Sequence, residues 1–151
     1  MKLLFDTSTL VASLTRSHPH HSVCRPWLLA VQAARHHGFI CTHSLAELYA
    51  TLTAMPLRPP LSVPEVHQVL EEAVLQHLVP VALDLPDYRA ALEIVTRRLL
   101  RSGVIFDALV EVAARKACVD RLVTLNISHF NRLSDEPGSW LLDPRHTAPP
   151  A

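Results

Sequence analysis

Four short apolar runs, each separated from the next by two stretches of helical periodicity, constrain this chain more than any other feature. KLLFD, FICT, VPVALD and RLVTLN read as buried strands. TSTLVASL and SVCRPWLLAVQAARHH read as helices between the first two, the second stopped at Gly38, with His36 and His37 at the negative end of its dipole. SLAELYATLT follows the second strand. MPLRPPLSVP is a proline-rich connector, and EVHQVLEEAVLQHL resumes helical spacing. After the third strand come two more helices, LPDYRAALEIVTRRLLRSG and VIFDALVEVAARKAC, and after the fourth the short segment ISHFNRL. The order β-α-α-β-α-α-β-α-α-β needs crossover connections. It predicts an α/β fold with a central parallel sheet covered by helices on both faces. Residues 1–142 form one domain, and 143–151, without apolar periodicity, are expected to be a disordered tail.

Composition excludes several classes. Hydrophobic residues make up 49% of the 151, with only 3 glycines, which suits helices on a short sheet better than a turn-rich β-sandwich. Lys and Arg balance Asp and Glu at 14 each, so any nucleic-acid contact must come from local patches. The 3 cysteines lack CxxC spacing, as expected of a reduced cytoplasmic protein. The first apolar run is broken at Asp6, too early for a signal sequence or a membrane span.

In a parallel sheet, ligands bind beyond the carboxyl ends of the strands, near a topological switch point. Asp6 ends the first strand, Glu47 lies in the helix after the second, Asp107 lies in an apolar helix, and Asn126 ends the fourth strand. Each has an ordinary explanation. Asp6 can cap the helix starting at Thr7, Ser44-x-x-Glu47 has capping-box spacing, and Asp107 suits a helix N-terminus. Asp107, however, is flanked by Ile105, Phe106, Ala108 and Leu109, and a carboxylate in such surroundings needs a partner, either Arg or Lys or a metal ion. Like charges ~4 Å apart repel by about 4 kcal/mol at an effective dielectric of 20. Gathered acids therefore need neutralising. Oxygen donors without a zinc-type Cys/His cluster point to Mg²⁺, with Mn²⁺ as a substitute, and such sites serve phosphodiester hydrolysis.

LLFDTSTLVASL, THSLAELYATLT, GVIFDALVEVAARKAC and RLVTLNISHFNRL resemble, in this order, the four motifs of PIN-domain ribonucleases, and most closely the VapC-like toxins of toxin–antitoxin pairs. The resemblance runs to about Leu142. It implies a Rossmann-like three-layer α/β/α fold and a metal-dependent endoribonuclease acting as the toxin of a type II system. It also implies an RNA substrate, a cognate antitoxin and a homodimer. It assigns the metal to Asp6, Glu47 and Asp107, with Asn126 as a fourth catalytic position where many relatives carry Asp. Ser8, in place of the family's usual Asn, and Thr124 would position Asp6 or a water. His129 stands where many relatives have an acid, and is expected to pack at the end of the fourth strand; His43 lies near the site.

Arg97, Arg98 and Arg101 near one helix end, and Arg115 with Lys116 at another, are ordinary dipole complements, with Arg97 and Arg98 the candidates for RNA or antitoxin contact. His18, His20, His21 and Cys24 match no defined zinc spacing. Two rivals stay open: a non-catalytic PIN module that binds RNA or protein, and a haloacid-dehalogenase-like phosphatase. The second would want Asp at position 8 and a downstream acidic pair; Ser8 and Asn126 supply neither.

Overall fold

A computed structural model describes residues 1–134 and 139–150. In chain order the elements are β1 (Lys2–Phe5), α1 (Thr7–Leu14), α2 (His21–Gln32), β2 (His37–Cys41), α3 (Thr42–Ala54) and α4 (Val63–Val69), which continues as a π-helical segment over Leu70–Leu75. They continue with β3 (Leu78–Val81), α5 (Leu85–Arg97), α6 (Val104–Lys116), β4 (Arg121–Val123), α7 (Ile127–Asn131) and β5 (Leu141–Leu142). The sheet order is β3-β2-β1-β4-β5, and every pairing is parallel. The chain builds outward from β1 in one direction and then crosses to β4 on its other side. The β1–β4 boundary is therefore the switch point at which such sheets place a site.

Strand alternation explains the three layers. Leu3 and Phe5 of β1, Ile40 of β2 and Val123 of β4 join one apolar cluster with Trp27, Leu28, Leu48 and Leu52 from α2 and α3. Leu4, Cys41 and Leu122 face the opposite side and pack with Ala91, Leu109, Ala113 and Phe130 from α5, α6 and α7. With both faces covered, each strand is apolar at successive positions, as the sequence shows. The predicted α/β/α architecture with a central parallel sheet is what the structure contains.

Three local expectations are corrected. Helix α2 ends at Gln32, earlier than expected, and the left-handed turn after it falls on Ala34 (φ 56). His37 and Gly38 belong to β2. A Cβ on Gly38 would lie 2.2 Å from Leu78 Cδ2 and 2.5 Å from Val31 Cγ1, so glycine there serves close packing of β3 and α2 on β2. The sheet has a strand the sequence did not reveal, because β5 is only the pair Leu141–Leu142, held by Leu122 N–H to Trp140 O and Thr124 N–H to Leu142 O. Residues 143–150 fold back on the domain: Trp27 Nε1 donates to Thr147 O at 3.1 Å, Pro144 is buried, and Arg145 Nη2 donates to Leu125 O at 3.2 Å. Ala151 lies outside the described residues.

Candidate active site

Asp6 follows directly from β1 and is 4% exposed. It does not cap α1, since no side-chain cap bond forms there. Its Oδ2 instead accepts from Ser8 Oγ at 2.6 Å and from Thr124 Oγ1 at 2.9 Å. Thr124, immediately after β4, also accepts from Asn126 N–H at 2.9 Å, and Ser8 Oγ accepts from Leu125 N–H at 3.3 Å. These bonds stitch the carboxyl ends of β1 and β4 together and fix one carboxylate in a single orientation. Burial nevertheless pushes the Asp6 carboxyl above its ordinary range, outweighing the hydroxyls and amides that pull it down.

Glu47 comes from α3. That helix starts at Thr42 behind Cys41, so Ser44 is already inside it and the capping-box spacing forms no box. With its side chain free of that duty, Glu47 reaches across to α1 and accepts from Thr7 Oγ1 at 3.1 Å. Its carboxyl is also raised, first by partial burial and then by the Asp6 charge, while Thr7 and His43 oppose the shift. Asp107 lies in the first turn of α6, where the helix dipole favours an acid. Its pKa is nonetheless pushed up to about 6, mainly by burial, with the Asp6 charge next. His129 works against that rise through Nδ1, 3.2 Å from Asp107 Oδ2. His129 is thus not packed at the end of β4: α7 spends its buried side on Phe130, which leaves His129 exposed and free to reach Asp107.

Asp6, Glu47, Asp107 and Asn126 line one open cavity of about 490 Å³, together with Thr7, Ser8, Phe106 and Leu125. Among the described residues no Lys or Arg pairs with any of the three acids; His129 on Asp107 is the one ionic contact to them. The acids flank the cavity without chelating across it, for among the described residues no three His, Cys, Asp or Glu side chains form a ready ligand cluster. The donor set still fits a hard divalent cation. It consists of oxygens, its negative charge is uncompensated, and Asp6 and Asp107, the more buried pair, each raise the burden that a cation relieves.

Several cavity residues were not singled out for this site from the sequence. His18 and His20 come from the loop between α1 and α2, Phe106 precedes Asp107, and Arg145 comes from the returning tail. The histidine cluster does not gather with Cys24, which is fully buried, while His21 is occupied by the carbonyl of Ala12 at 2.9 Å. Arg145 is gripped by Asp143, whose carboxylate accepts from Nε at 2.8 Å and from Nη2 at 2.6 Å. Arg97 and Arg98 do not line the cavity, and Arg97 is paired with Glu93 one turn earlier on α5.

No protein-family model matches the chain. It is 29% identical to Ribonuclease VapC27 of Mycobacterium tuberculosis over 112 residues, 74% of this chain and 76% of that protein. Among solved structures it superposes on VapBC2 from Rickettsia felis bound to a promoter DNA fragment, at TM-score 0.66 and 18% identity, covering 95% of this chain and 98% of the other. It superposes equally on VapC20 of M. tuberculosis, described as a sarcin–ricin loop cleaving toxin, at TM-score 0.66 and 16% identity over 90% and 99% of the two chains. FitAcB from Neisseria gonorrhoeae gives TM-score 0.67 at 15% identity over 96% and 99%. Over nearly its whole length this chain shares the α/β/α fold of these VapC and Fit structures, and over three quarters of it the chain is similar in sequence to a VapC ribonuclease.

Proposed function

We propose that the chain is a Mg²⁺- or Mn²⁺-dependent endoribonuclease and the toxin of a toxin–antitoxin pair. The observation that carries this reading is the meeting of Asp6, Glu47 and Asp107, from three separate elements, around one cavity with no Lys or Arg paired to them. The sequence likeness to a VapC ribonuclease, and the likeness in fold to toxins solved with their partners, support the same reading and make a cognate antitoxin the expected partner. A homodimer is part of the proposal. No helix among the described residues is long and apolar enough to cross a membrane, and the free cysteines Cys24, Cys41 and Cys118 suit a reducing cytoplasm.

Asp6, Glu47 and Asp107 would hold the divalent ion. Such an ion supplies a nucleophilic water at neutral pH and positive charge for the phosphate oxygens. The chain's own residues do the rest. Ser8 and Thr124 lock Asp6, so the carboxylate meets the ion without having to be ordered first. His129, with Nδ1 3.2 Å from Asp107 Oδ2, holds the orientation of that carboxylate at the cavity. Asn126 contributes a neutral oxygen or an amide where an acid would add further repulsion. Arg145, clamped by Asp143, presents a guanidinium edge at the cavity where an RNA phosphate would lie.

Purified protein incubated with structured RNA tests this directly. Cleavage with Mn²⁺ or Mg²⁺ is expected, and Asp6→Asn should abolish it while leaving the circular dichroism spectrum unchanged. Cleavage that continues in excess EDTA contradicts the metal mechanism. Hydrolysis of a phosphomonoester without any RNA cleavage would move the protein to the phosphatase class.

A further inference from the structure

We infer that the paired rings of Phe106 and His43 form a stacking platform for one unpaired base of the RNA strand whose phosphate enters the acidic cavity, an inference that rests on the nuclease reading above. Phe106 is 42% exposed, whereas Phe5 and Phe130 are buried. A single exposed apolar residue is ordinary, so exposure alone decides nothing. Its position does. The ring lines the acidic cavity itself and lies nearly parallel to the His43 ring, with centroids 4.9 Å apart and planes 17° apart.

The pair also bridges the two helices that deliver acids. Phe106 immediately precedes Asp107 on α6, and His43 lies one turn before Glu47 on α3. A stack fixed to both helices holds a flat face in register with the carboxylates. The Nε2 of His43 is buried without a hydrogen-bond partner among the described residues, so no hydrogen bond at that atom competes with the ring-on-ring contact to Phe106. Single-stranded RNA is read largely by splaying its bases onto aromatic side chains while cations take the phosphates. Arg145 on the same cavity supplies the cation and Phe106 the aromatic face. Because every base has a π face, the platform confers a demand for an unpaired nucleotide at one position and only a mild preference among bases.

The test uses Asp6→Asn protein, which keeps RNA intact, with Mn²⁺ and a short single-stranded RNA carrying 2-aminopurine or an abasic residue at successive positions. Stacking predicts quenched fluorescence at one position, and binding weakened about 5- to 150-fold when the base there is removed. Added Phe106→Leu, which keeps the apolar cover, should lose the quench and weaken binding of intact RNA by a similar factor, yet bind the abasic RNA no worse than its parent. Phe106→Trp should retain both signals. Equal weakening on intact and abasic RNA would reduce Phe106 to a helix brace and overturn the proposal. So would abasic substitution that leaves affinity unchanged at every position, a result obtained without any change at Phe106 and so independent of whether that variant folds. A Phe106 requirement seen only with a bound peptide would also overturn it. If Asp6→Asn and unmodified protein both fail to bind RNA at all, the nuclease reading itself falls, a result distinct from loss of the base-dependent part alone.

Discussion

Replacing Asp107 by Asn should stabilise the ion-free protein at neutral pH while removing its activity. Asp107 carries a side chain 15% exposed and a pKa pushed from 3.8 to about 6 by burial and by the Asp6 charge. The folded state therefore binds this proton more tightly than the unfolded chain does. The stability that proton provides is complete below about pH 3.8 and is lost as pH rises through about 6. A shift of about two units corresponds to about 3 kcal/mol at pH 7.5, and to less than about 1 kcal/mol at pH 4, where the folded group is almost fully protonated and the unfolded one roughly half so. Asn reproduces the neutral form at every pH, so it escapes the penalty. Urea unfolding in EDTA should place Asp107→Asn about 1–3 kcal/mol above the unmodified protein at pH 7.5, the lower figure allowing for relaxation of the other acids and for loss of the His129 contact. The advantage should shrink toward zero at pH 4. A variant that is less stable by the same amount at both pH values would refute the claim that Asp107 sits in uncompensated negative surroundings.

Three further outcomes follow from the packing and charge arrangement. Gly38→Ala should destabilise the fold by about 1–3 kcal/mol in thermal or urea unfolding, because Leu78 and Val31 both occupy the space of the new methyl group. Arg115→Ala should cost about 2–4 kcal/mol at pH 7, since it strands Glu111, a 1% exposed side chain whose Oε1 accepts from Arg115 Nη2 at 2.8 Å; Glu111→Gln in the same chain should recover part of the loss. Arg145→Ala should weaken RNA binding roughly uniformly across sequences and lower the salt dependence by about one phosphate contact, whereas an unchanged salt slope would remove Arg145 from the interface.

Much of this architecture was legible because its signals are local. An apolar run ended by Asp6, and another followed by Thr124 and Asn126, mark the strand ends at a switch point, and the helical stretches between them force parallel pairing. The hydroxyls of Ser8 and Thr124 were identified beside Asp6 through motif resemblance, and the hydrogen bonds place them there. The misreadings share a cause: tertiary packing overrode a local rule. Gly38 has the sequence context of a helix stop, but the approach of Leu78 and Val31 is what requires it. Ser44 and Glu47 have box spacing, but Thr42 begins the helix two residues earlier. Strand β5 and the returning tail were invisible because two leucines and a proline-rich segment carry no periodicity of their own. Arg145, His18 and His20 reach the cavity from loops, and only the folded chain reveals which loops arrive there.

Mn²⁺ titration by calorimetry at pH 7.5, on the intact chain and on Asp6→Asn, Glu47→Gln and Asp107→Asn, probes the shared carboxylate cup most directly. One saturable site is expected in the intact protein, with weaker binding in all three variants. Binding that survives all three substitutions unchanged, or no binding by the intact protein at millimolar Mn²⁺, would contradict it.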